Sequence, residues 1–219
     1  MIVDSEQKKV LNMGLHKISW NRYYQLEKKE NADDWLEKYS TAIHDIKRIK
    51  ALDLGCGNGS NIPFLLKCKA NIVACDYSEQ AIQQVKSKYN VETAILDMRN
   101  KLPFEDNEFN VIICDLSLHY FTERETIAIL HEINRILSSE ECLYVRVNSI
   151  NDSNYGAKEG KEIEKHYYSH RGTQKRFFDE DDIDYFFLRR FTCITKWEST
   201  SNKYGEIKHL WELALKKSG

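Results

Sequence analysis

Ala51-Leu52-Asp53-Leu54-Gly55-Cys56-Gly57-Asn58-Gly59 is the stretch on which the reading of this chain turns. An apolar run carrying one acid breaks into glycines at alternate positions, the pattern of a strand end that presents bare backbone. Gly55, Gly57 and Gly59 lack a Cβ, so the turn can take positive φ and another molecule can approach main-chain N–H groups. A small-molecule cofactor is the expected occupant. A dinucleotide fingerprint, G-x-G-x-x-G, would need glycine at position 60, where Ser60 stands. It also does not ask for an acid two residues before the first glycine. Asp53 would repel a phosphate and suits a cation.

Working outward, the same unit recurs. The apolar run 71–75 ends at Asp76, seventeen residues beyond Gly59, and an acid at the end of a second strand can accept from both hydroxyls of a ribose. The run 91–96 ends at Asp97-Met98, and the run 109–114 ends at Asp115-Leu116. Each acid has a second reading as a cap on the following helix, as Asp76 before Ser78-Glu79-Gln80 illustrates.

Taken together, Leu52 to Gly59 and the spaced acids resemble the class I S-adenosylmethionine-dependent methyltransferases, whose first motif is hydrophobic-acid-hydrophobic-G-x-G-x-G. The resemblance covers residues 45–137 most closely. It implies S-adenosylmethionine as cofactor and S-adenosylhomocysteine as product. It places cofactor contacts at Asp53, Gly55, Cys56, Gly57, Gly59, Asp76, Tyr77, Asp97, Met98, Asp115 and Leu116, with Asp97 on the adenine amino group and Met98 against the ring. Trp20, Tyr23, Tyr24 and the closing run 209–215 are also similar to the tellurite and thiopurine methyltransferase branch.

Hydrophobic period supplies the frame. Trp35, Leu36, Tyr39, Ile43 and Ile46 fall at helical spacing, predicting an amphipathic helix over 33–48 before the first strand. Ser60 is placed to N-cap the helix after the glycines, with Pro63 in its first turn. Residues 79–89 and 122–137 read as further helices, 141–148 as a fifth strand, and 191–198 with 207–215 as a hairpin turning at 202–205. Alternating strands and helices predict an α/β, doubly wound, mostly parallel sheet. The resemblance implies seven strands, Rossmann-like, with an antiparallel C-terminal hairpin. One domain over 1–219 is expected, with residues 1–48 as a helical arm or lid and 149–178 as a substrate-side insertion.

Charge restricts the partners. With 32 Lys plus Arg against 34 Asp plus Glu, the net of -2 lacks the basic field that a phosphate backbone demands. Asp115-Leu116-Ser117-Leu118 also departs from the (Asp/Asn)-Pro-Pro-(Tyr/Phe) of nucleobase amine methylation, and Pro-Cys is missing, so DNA is not expected. The N-terminus lacks the order of a secretory signal and no apolar run reaches spanning length, so a cytoplasmic protein without a membrane partner is expected. The cysteines show no C-x-x-C spacing and read as buried thiols. Cys56 is the exception, since the glycine loop would expose it.

A small-molecule methyl acceptor is the leading expectation; an RNA or protein acceptor and a non-catalytic cofactor-binding module are the alternatives. Tyr24, in the aromatic cluster of the arm, would cover the cofactor or simply pack the arm on the sheet. His119, just beyond the fourth strand, is the candidate base if the acceptor is an alcohol or phenol, or else a packed helix-entry residue. His170 and Arg171 would suit a carboxylate or oxyanion. Were the insertion helical, Glu162, His166 and His170 would share a face, but without a fourth ligand a solvated polar face is preferred and no metal is expected.

Overall fold

The computed structural model describes residues 17–26 and 33–218; the remainder of the 1–48 arm lies outside them. The apolar runs that carry or lead into the acids form β1 (Lys50–Leu54), β2 (Asn71–Asp76), β3 (Glu92–Ile95) and β4 (Phe109–Asp115), and β5 (Leu137–Asn148) pairs in parallel with β4. The insertion folds as a separate antiparallel sheet of β6 (Lys161–Glu164), β7 (Tyr167–His170) and β8 (Thr173–Arg176). β9 (Thr192–Ser201) and β10 (Lys208–Lys216) make the closing hairpin, and β10 runs antiparallel to β5. The seven strands are therefore ordered β3-β2-β1-β4-β5-β10-β9. Strand order reverses between β1 and β4, which opens a crevice beyond their C-terminal ends.

Residues 17–25 are helical (α1), followed by α2 (Ser40–His44), α3 (Ile62–Lys67), α4 (Glu79–Lys88), α5 (Glu123–Ile136) and α6 (Glu180–Ile183). The pleat sends alternate residues of each strand to opposite faces. Leu52, Leu54, Ile112, Val145 and Val147 pack with α5 residues Ile129, Leu130 and Ile133. Ala51, Ile113 and Tyr144 pack with Ile43 of α2, Leu65 of α3 and Val85 of α4. α5 starts on a capping box, in which Thr122 and Glu125 bond each other's backbone, and it presents Thr126, Ile129, Leu130, Ile133 and Ile136 to the sheet.

Two expectations need correction, and one stated condition is not met. The helix over 33–48 shrinks to the tight turn Glu37–Tyr39 and α2, because the chain must swing into β1 and does so through Arg48 in the left-handed region at φ 59°. Ser60 does not cap α3; Asn61 occupies that position, and Ser60 Oγ is within 2.9 Å of Lys203 Nζ. The insertion is not helical, so the face on which Glu162, His166 and His170 would have met does not form. His166 sits instead in a left-handed turn between β6 and β7. No helix among the described residues is long and apolar enough to cross a membrane.

Candidate active site

The glycine loop leaves β1 under tight local control. Gly55 and Gly57 take φ of 81° and 53°, a region costly for side chains. The N–H groups of Gly55 and Cys56 both donate to the Cys75 carbonyl, at 2.8 and 2.9 Å, and the Gly57 N–H donates to Asp76 Oδ2 at 2.9 Å. Asp76 Oδ1 accepts from the Ser78 N–H at 2.8 Å. Asp76 thus moors the loop to the start of α4, which Ser78 caps through the Ala81 N–H. Burial pushes the Asp76 carboxyl up, and the backbone donors oppose that shift.

Asp53 lies at the crevice end of β1 and is wholly buried. Its Oδ1 accepts from Asn61 Nδ2 at 3.1 Å, while Oδ2 has no partner. Burial above all, with a smaller push from Asp115, raises its pKa to about 7 against the Asn61 bond. A carboxyl whose folded pKa lies above its unfolded value contributes stability that is complete below about pH 4 and is lost as pH rises through 7. Asp53→Asn, a mimic of the neutral form, should therefore gain thermal stability over the wild type on going from pH 5 to pH 8 without ligand. Equal melting differences at both pH values would count against this account.

The other strand-end acids have protein partners. Asp97 accepts from Arg99 Nε and Nη2 at 2.9 and 2.6 Å, and the Arg99 guanidinium lies 5.7 Å from the Tyr77 ring centre. Asp115 is held bidentately by Arg146, at 2.7 and 2.9 Å, and Arg146 also donates to Asp33 at 2.7 Å. Burial alone would push the Asp115 carboxyl up; the Arg146 charge, helped by Lys203, outweighs it and holds the group low. Leu116 follows at φ 54°. The Met98 methyl would lie 3.6 Å from a Cβ at Gly55. Cys56 is buried, which with Asp53 and Asp76 pushes its thiol well above 9, so it is no nucleophile at neutral pH.

Two segments close over the loop. In α1, Asn21 Oδ1 accepts from Ser78 Oγ at 2.7 Å, Trp20 meets Tyr120 edge-on at 5.1 Å, and the Tyr24 carbonyl accepts from Gln84 Nε2. The Tyr24 hydroxyl reaches Gly57, where a Cβ would lie 2.6 Å from it. Burial, then Asp76, pushes this hydroxyl well above 10, so it stays neutral. From the far end of the chain, buried Lys203 between β9 and β10 lies 3.7 Å from Asp115 Oδ2. Sequence reasoning missed Lys203, since a lysine at a hairpin tip looks like any solvated turn residue.

Just beyond β4, His119 packs against Tyr120 at 4.2 Å, is 2 % exposed, and its Nδ1 has no partner. Burial, then Lys208 and Lys175, hold its pKa well below 6.5, so it is neutral. His170 Nε2 lies 3.2 Å from Glu159, and Arg171 is exposed in the left-handed turn between β7 and β8. The structure does not bring that pair together with His119 by any bond among the described residues. His166 Nδ1 lies 2.7 Å from Asp182 and 3.6 Å from Asp179, and the Lys165 ammonium already pairs with both carboxylates, at 3.1 and 3.5 Å.

Comparison with known proteins gives a consistent result. Residues 51–140 match the methyltransferase domain family. Over 88 residues the chain is 30% identical to an uncharacterized methyltransferase of Synechocystis sp., a match spanning 40% of this chain and 42% of that protein. Among solved structures, a SAM-dependent methyltransferase from Methanosarcina mazei superposes with a TM-score of 0.69 at 16% identity, covering 81% of this chain and 96% of that one. The Burkholderia thailandensis 1,6-didemethyltoxoflavin-N1-methyltransferase, solved with 1,6-didemethyltoxoflavin and S-adenosylhomocysteine, gives 0.71 at 15% identity, covering 100% of this chain and 92% of that one.

Proposed function

The chain is a class I methyltransferase in domain and fold, and from that premise we propose that it transfers a methyl group from S-adenosylmethionine to a small-molecule acceptor by in-line displacement. The observation that carries the reading is the unpartnered Asp53 Oδ2, buried at the end of β1 beside a glycine loop held in the left-handed region. A buried acceptor without a donor costs about 1–3 kcal/mol. An ammonium such as the one at the methionine end of the cofactor would satisfy it, and Lys203 stands close enough to Asp53 to influence its charge.

The bound cofactor would supply an electrophilic methyl on a cationic sulfur. The rest is work for this chain's own residues. Gly55 and Gly57 give the loop its left-handed turn, Asp76 holds it through the Gly57 N–H, and Tyr77 with Met98 offers flat and apolar surface. α1 excludes water through Trp20 and Tyr24, with Tyr120 packed edge-on against Trp20. Orientation at near-attack distance is worth about 7 kcal/mol or more of the barrier. His119, neutral and with an unpartnered Nδ1, is positioned to hydrogen-bond the acceptor, accepting from a hydroxyl or, in the other tautomer, donating to an oxyanion. The small-molecule acceptor is supported by the Burkholderia enzyme, which was solved with the small molecule 1,6-didemethyltoxoflavin.

Calorimetry with S-adenosylmethionine, S-adenosylhomocysteine and NAD tests the cofactor. Binding of the first two and not the third is expected, and Asp76→Ala should weaken them by about 1.5–3 kcal/mol through lost charge-assisted bonds. NAD binding in place of the sulfonium compound would overturn the reading. A methyl-transfer assay against a metabolite panel, run beside retention on RNA at physiological salt, tests the acceptor class.

A further inference from the structure

Beyond β4 and β5 lies a group of buried polar atoms that neither the fold nor cofactor binding uses. Asn148, at the end of β5, is fully buried, and both its side-chain Nδ2 and Oδ1 lack partners. His119 Nδ1 is a third such atom. β4 and β5 are parallel neighbours in register at Asp115 and Arg146, so Asn148 stands two residues on, on the same face as Arg146. Leu210 faces Asn148 across the β5–β10 ladder, which puts Lys208 one step further along the same face. Leaving three polar atoms of two side chains dry costs several kcal/mol in sum unless a ligand meets them.

The charges around them are unequal. Arg146 has Asp115 and Asp33, Lys203 has Asp115, and Lys208 has Asp152 at 2.7 Å. The ammonium of Lys175, on β8, has no carboxylate within 4.0 Å and no hydrogen bond among the described residues, although the residue is half-buried and both His119 and Lys208 feel its charge. Its neighbour Arg176 points to the other face, where it binds Glu164. Burial depresses the Lys175 ammonium, and distant Asp152 only partly restores it.

Resting on the methyltransferase reading, we infer that the acceptor is an oxyanion, a carboxylate or an ionised phenol or enol, seated with its charge on Lys175 and its polar edge on Asn148 and His119 Nδ1. An acceptor that arrives ionised needs no strong base, which agrees with a histidine kept neutral. Lys175 would fix the acceptor through charge, and the Asn148 amide would fix its orientation by donating and accepting at once.

The test uses the whole chain saturated with S-adenosylhomocysteine and, in parallel, without it. The probes are benzoate against neutral benzamide, and 4-nitrophenol, whose visible band reports ionisation. Benzoate is expected to bind at least tenfold more tightly than benzamide, and bound 4-nitrophenol to ionise at lower pH than the free compound. Lys175→Met should abolish both preferences while S-adenosylhomocysteine binds as before, and Lys175→Arg should restore them in part. Which probe binds better separates carboxylate from phenolate. Equal binding of benzoate and benzamide, or preferences that survive in Lys175→Met, overturn the inference while leaving the cofactor reading intact. Failure of S-adenosylhomocysteine to bind the wild type overturns both.

Discussion

Replacing Arg146 by Met is expected to cost about 3–5 kcal/mol of folding stability, the usual penalty for stripping one partner from a buried charge pair. The guanidinium is 1 % exposed, reaches Asp115 through Nε and Nη2 and Asp33 through Nη1, and lies 4.6 Å from the centre of the Trp35 ring. Met keeps the apolar stem but leaves Asp115 ionised in a site from which water is excluded. Asp115 would then lose the influence that holds its pKa low. Its stabilising contribution, present above the unfolded value and lost as pH falls through the depressed folded value, would vanish at neutral pH. Denaturant unfolding at pH 7 and pH 5 measures this. The penalty should shrink toward pH 5, where Asp115 can protonate, and adding Asp115→Leu should recover most of it. A loss under 1 kcal/mol at pH 7 would mean that the pair is replaceable by water.

Gly55→Ala carries the second large effect. A Cβ there would stand 2.4 Å from the Ser117 Cβ, and Ser117 cannot swing aside because its Oγ donates to the Leu54 carbonyl at 2.9 Å. Overpacking of this kind costs about 1–3 kcal/mol, and the left-handed φ of 81° adds about 1–2 kcal/mol more. We expect a melting point lowered by many degrees and S-adenosylmethionine binding weakened beyond a hundredfold, because the methyl group also enters the space beside Met98. Gly55→Ala combined with Ser117→Gly removes the clash but not the strain, so it should regain part of the stability. Wild-type affinity in Gly55→Ala alone would remove this loop from the site.

The central parallel strands β1, β2 and β4 were readable because each is a short apolar run carrying an acid at or near its end, a local signal that burial on both faces enforces. The loop glycines were readable for the same reason: backbone geometry left few residue types to choose from. What the acids do was less legible. Asp115 looks in sequence like a ligand contact, yet its partner Arg146 is 31 residues away. An arginine between Val145 and Val147 in an apolar strand was a usable sign that some carboxylate must meet it. The form of the insertion was not legible: Glu162, His166 and His170 at four-residue spacing would share a face only in a helix, and strand pairing over 161–176 overrides that spacing. Lys203 left no signal, since its role exists only once β9 and β10 have folded back to Ser60.

That contact spans 143 positions of the chain, and it bears on when the binding site becomes competent during synthesis. A polypeptide still on the ribosome would display β1 through β4 and the glycine loop early, yet Arg146, the edge hairpin and Lys203 emerge late. Half-made chains should therefore fail to capture the sulfonium compound even with the whole 51–140 segment exposed, and competence should arrive abruptly as the final strand leaves the exit tunnel.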